Sequence, residues 1–89
     1  MQLERWLKFS KGQQMGAIAS ELARAKEWQE KDRDKFLSAI ERALDLIDSA
    51  LDDNRWREWL SALYGLRQEI SMFYCGDIKK DIGALYYAL

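Results

Sequence analysis

Six large apolar residues recur at intervals of three and four between Asn54 and Tyr74: Trp56, Trp59, Leu63, Leu66, Ile70 and Phe73. This spacing keeps all six on one face of an α-helix, so it predicts a single long helix over 54–74 with a continuous stripe. Such a stripe suits shallow-angle packing against antiparallel neighbours, as in a bundle. Burying each of these groups contributes roughly 1.5–3 kcal/mol, while fixing the backbone costs about 1–2 kcal/mol per residue. The helix therefore needs cover, from the rest of the chain or from a second copy.

The rest of the chain can supply helices. It has 89 residues, no proline, only five glycines and 33% charged residues, and no segment alternates with the period of a strand. The expected fold is all-α: an up-and-down bundle of three long helices and a short C-terminal helix, forming one domain over residues 1–89. A chain of this size supports one modest core and gains from association.

In chain order, residues 1–9 form a short amphipathic N-terminal arm carrying Leu3, Trp6, Leu7 and Phe9, expected to fold back on the bundle, with a partner-docking arm as the alternative. Ser10 with Gln13 makes a capping box that opens a helix to about Lys31, with Met15, Ile18, Ala19, Leu22 and Ala25 inward. Gly12, Gly16, Ala19 and Ala23 on that helix predict close packing against a neighbour inside the chain, with a dimer seam as the alternative. Asp32 or Asp34 caps the next helix, which runs to about Asp52. Phe36, Ile40, Ala43, Ile47 and Ala50 form its stripe, flanked by Leu37, Leu44 and Leu51. So wide a stripe fits a central helix touching two neighbours. Asp52-Asp53-Asn54 reads as a polar break too hydrophilic to pack. After Tyr74, the run Cys75-Gly76-Asp77 reads as a stop and a new start, and Ile78, Ile82, Leu85, Tyr86 and Leu89 would face inward from the last helix.

Little in the composition supports catalysis. Histidine is absent, which removes the commonest general base and metal ligand. The serines therefore have no triad partner, and Cys75, the only cysteine, has no matched base. Glu41, Asp45, Asp48 and Asp52 line one helix face, but no second set of carboxylates opposes them, so neither a metal nor a cofactor is expected. Arg24 and Arg67 could reach inward to Asp45 or Asp48 as buried ion pairs that fix register. A formal charge of −1 provides no field to attract nucleic acid. Arg55 and Arg57 beside Trp56 and Trp59 make only a thin stacking platform. No apolar run approaches a membrane span, and the N-terminus has no signal-peptide core, so a cytoplasmic location is expected.

The segment Arg67-Gln-Glu-Ile-Ser-Met72-Phe-Tyr74 resembles the Arg-x4-His-x-Tyr motif of HEPN-domain proteins of toxin and antitoxin systems, with Met72 in place of the histidine. The resemblance covers eight residues. It implies a small, usually dimeric helical bundle, often partnered with a nucleotidyltransferase, in which arginine and histidine cleave RNA and tyrosine accepts a nucleotide. Without the histidine, it implies a degenerate member that retains Arg67 and Tyr74 but has lost cleavage. The chain is also similar in style to small helical-bundle proteins of prokaryotes.

The expected function is therefore a non-catalytic helical protein-interaction module that forms a homodimer, with another protein as a further partner. The alternative is a degenerate HEPN-like, toxin/antitoxin-associated or RNA-binding protein. Tyr64, Gly65, Ser71 and Met72 lie off the stripe of the 54–74 helix and form the expected dimer face, because tyrosine and methionine are common at contacts and glycine admits a close neighbour.

Overall fold

The computed structural model describes residues 3–75 and Ile82. Within them the chain is all-α, a bundle with no strand. A short helix α1 (Leu3–Leu7) precedes two long helices, α2 (Lys11–Trp28) and α3 (Arg33–Leu51). A 3-10 segment (Asn54–Trp59) then leads into α4 (Leu60–Tyr74). The short C-terminal helix expected after Cys75 lies outside the described residues. Ile82, from that stretch, is buried, and its N–H donates to Gln29 Oε1 at 2.8 Å. No described helix is long and apolar enough to cross a membrane.

Local chemistry accounts for where α2 and α3 start. Ser10 N–H donates to Gln13 Oε1 (2.9 Å) and Gln13 N–H to Ser10 Oγ (3.1 Å), so the capping box at the head of α2 is complete. Asp32 is the cap of α3, accepting from Lys35 N–H at 3.2 Å. α2 stops at Trp28, one turn earlier than Lys31, and Lys31 and Asp32 N–H both bond to the Trp28 carbonyl.

Contacts between helices give their directions. Glu21 and Trp28 of α2 meet Arg42 and Lys35 of α3, and Asp48 and Glu41 of α3 meet Arg67 and Tyr74 of α4. In both pairs the numbers rise on one helix as they fall on the other, so each pair is antiparallel and the bundle runs up and down. α3 is the middle helix, packing on both α2 and α4. Its whole expected stripe is buried, together with Ala39 and Leu46. From α2 the core takes Ile18, Leu22 and Ala25, with Met15 packed at its edge, and from α4 it takes Leu63, Ile70 and Phe73.

Three expectations change. The stretch 54–74 is not one α-helix: it begins in the tighter 3-10 form, and Trp59 at the junction has φ −113° and ψ 12°, outside helical geometry. The stripe is interrupted there, and Trp59 is 52% exposed. The Asp52-Asp53-Asn54 break is not wholly solvated, since Asp53 is only 5% exposed. Gly12 and Gly16 are not points of close helix approach inside the chain, because both are exposed and a Cβ on Gly16 would meet nothing within 4 Å.

The N-terminal arm does fold onto the bundle. Trp6 is completely buried and Phe9 packs at the edge of the core, while Leu7 stays half-exposed.

Candidate interaction surfaces

The 3-10 segment owes its shape to Asp53. That residue is extended (φ −95°, ψ 118°) and its side chain accepts from Arg55 N–H at 3.0 Å, an Asx-type turn that tightens the entry to the next helix. The Arg55 guanidinium then folds back along the same carboxylate, with Nη2 2.6 Å from Oδ2 and Nε 3.1 Å from each oxygen. Its outer N–H groups donate to the carbonyls of Phe9 (2.7 Å) and Leu7 (3.3 Å). Hydrogen bonds from Arg55 hold the Asp53 carboxyl far below the ordinary carboxylate range, against the opposing effect of burial.

Gln14 of α2 completes the cluster. Its Nε2 donates to the Trp6 carbonyl (3.0 Å) and to Asp53 Oδ2 (3.1 Å), and its Oε1 accepts from the Trp56 indole. Trp56 is thereby fixed inward. Trp59, one 3-10 turn later, has no such anchor, and with Trp56, Lys11, Gly12 and Met15 it borders an open apolar cleft of about 310 Å³. The Lys11 ammonium lies 5.8 Å from the Trp56 ring and 6.0 Å from the Trp59 ring, within reach of both π-faces.

The expected dimer face divides in two. Tyr64 is 60% exposed, and around Gly65 a Cβ would meet nothing within 4 Å, so this half is open. Ser71 and Met72 are half-buried, and Ser71 Oγ donates within its own helix to the Arg67 carbonyl at 2.8 Å.

The expected buried ion pairs also change. Arg67 does find Asp48, Nε to Oδ1 at 2.7 Å, but the two side chains are 40% and 48% exposed and the pair is not buried. Arg24 points to neither Asp45 nor Asp48; it pairs with Glu21 of its own helix at 2.8 Å, and Asp45 is exposed. Among the described residues the buried carboxylates are Glu21 and Asp53, neither of which the spacing argument singled out.

Tyr74 O–H donates to Glu41 Oε1 at 3.0 Å, and the carboxylate raises the phenol pKa from its ordinary value. Its bond to Asp48 likewise raises the Arg67 pKa. Tyr74 follows Arg67 by seven positions, about 10 Å along a helix, and each is engaged by a different α3 carboxylate. The two side chains are thus tied to α3 and not to each other. Among the described residues no group of three His, Cys, Asp or Glu side chains could hold a metal ion.

No family model, no curated protein and no solved structure matches the chain.

Proposed function

We propose that the protein is a non-catalytic helical interaction module that self-associates through the aromatic surface of the 3-10 segment and the first half of α4. The observation that carries this reading is the exposure of Trp59 and Tyr64, two large aromatics left out of the core, with open space at Gly65. Aromatic side chains desolvate a large area for little rotamer entropy and are enriched at the centres of interfaces. A two-fold axis near Gly65 would bring the Tyr64 side chains of the two subunits together. Association also gives a small domain extra stability, which then depends on concentration.

Sedimentation equilibrium at micromolar concentration tests this, with an expected mass twice the 10.5 kDa monomer. Gly65→Arg should give a folded monomer by circular dichroism. A monomeric native chain overturns the proposal, as does a Gly65→Arg variant that stays fully dimeric.

A further inference from the structure

The outer seam between α2 and α3 has a different character from the aromatic surface. On α3, Lys35, Arg42 and Leu46 border α2, whereas Glu41 and Asp48 border α4. Two adjoining clefts follow the seam and share Arg42 as a wall, one of about 350 Å³ and one of about 460 Å³.

In the first cleft the buried Glu21 carboxylate is held between two guanidinium groups, Arg24 Nη1 on Oε1 at 2.8 Å and Arg42 Nε on Oε2 at 2.9 Å. A guanidinium carries five N–H donors, and each arginine spends one of them here. Both side chains remain more than half exposed. Two cations therefore surround one anion, with fixed orientation and one positive charge in excess, beside an apolar floor of Ala17 and Leu46. In the second cleft the Lys35 ammonium lies 4.2 Å above the Trp28 ring, and Asp34 is the opposing charge.

The helix sets the spacing of these features. At about 1.5 Å per residue, Lys35 and Arg42 are separated by roughly 10 Å along α3, and Leu46 follows after roughly 6 Å. An extended peptide advances about 3.3 Å per residue. Four peptide residues, an even number that keeps both carboxylates on the groove side of an extended chain, therefore span the two cations with the reach of their long side chains, and two more reach the apolar floor.

We propose that the α2–α3 seam is a docking groove for an extended acidic segment of a partner protein, with two carboxylates four residues apart and an apolar side chain two residues after the second. Arg42 and Arg24 receive the second carboxylate as a fork, Lys35 receives the first, and the Ala17–Leu46 floor takes the apolar group. A polyphosphate chain fits less well, since the net charge is −1 and Asp34 and Glu21 line the same groove.

The test is a heteronuclear NMR titration of the full chain with the acetylated, amidated heptapeptide Glu-Ala-Ala-Ala-Glu-Ala-Leu. Saturable shifts are expected at the amides of Ala17, Ser20, Ser38 and Leu46, and none with the Gln-Ala-Ala-Ala-Gln-Ala-Leu analogue. Arg42→Gln should weaken binding about tenfold, the loss expected of a hydrogen bond to a charged group, and Asp34→Asn should tighten it. Arg24→Gln, which leaves Glu21 its partner from α3, is a second removal of charge should Arg42→Gln unfold. The proposal is overturned by no saturable shift at millimolar peptide, by equal response to the uncharged analogue, or by stronger shifts of the same amides with oligothymidylate. Shifts confined to Trp59 and Tyr64 also overturn it. Oligomeric state measured on the same sample distinguishes failure here from failure of self-association.

Discussion

Among the described residues two arginine–aspartate pairs stand in very different settings. Asp53 is enclosed and has a full set of partners: a backbone N–H, three contacts from the Arg55 guanidinium and the Gln14 amide. Among the described residues Asp48 faces Arg67 alone, and both side chains are substantially exposed. Coulomb attraction is screened in the second case and offset by the entropy of holding two long side chains. In the first case the cost of burial has already been met by good geometry, and removing one partner would leave the others stranded. The contrast shows that position in the hydrogen-bond network, more than the identity of the pair, decides how much the fold depends on it.

The largest effect expected is at Asp53. Asp53→Ala should destabilise by about 3 kcal/mol, at the lower end for breaking a buried pair because Arg55 can still reach water. For a domain of this size that lowers Tm by roughly 12–24 °C in a thermal melt. A shift of a degree or two would remove the distinction between the two clusters.

Acid should sharpen the same distinction. The folded-state pKa of Asp53 is depressed, so its contribution is fully present above the unfolded value of about 4. It is lost as pH falls below that, because the unfolded chain then takes up a proton that the folded chain resists. Urea melts of wild type and Asp53→Ala should therefore converge as pH drops from about 4 towards 2. A gap that stays constant with pH would mean that the carboxylate charge is immaterial.

The smallest effects belong to the α3–α4 rungs. Arg67→Gln should cost under about 1 kcal/mol and become neutral at high salt. Tyr74→Phe should leave Tm unchanged. A loss at Arg67 as large as that at Asp53 would show that exposure does not rank these pairs.

Much of the scaffold was legible because it depends on local rules. Ser10 with Gln13, Asp32 as a cap, and the α3 stripe all need only neighbours within a turn or two. The Arg67–Asp48 partnership was legible from helix faces, though its exposure was not. The Asp53 cluster was not legible, because Asp-Asp-Asn has the composition of a solvated break and its burial depends on residues about 40 positions away. One signal did exist: Gln14 stands four residues before Ile18 and eight before Leu22, a polar residue on an apolar line. An amide there needs partners, and Asp53 and Trp56 are those partners. Trp59 was misplaced for a related reason, since the heptad count assumed an unbroken α-helix through a junction that the Asp53 turn winds tighter.

Arg55 joins the N-terminal arm to the bundle through the carbonyls of Leu7 and Phe9, across 48 and 46 positions of sequence. A carbonyl is the same in every residue type, so this attachment does not read which side chains stand at positions 7 and 9. All of its specificity is stored at the other end, where Asp53 aims the guanidinium. The arm can therefore change its side chains at those two positions without altering this bond, whereas a change at position 53 or 55 removes it from an arm in which no residue has been touched, leaving buried Trp6 and the Gln14 bond to its carbonyl as the attachment.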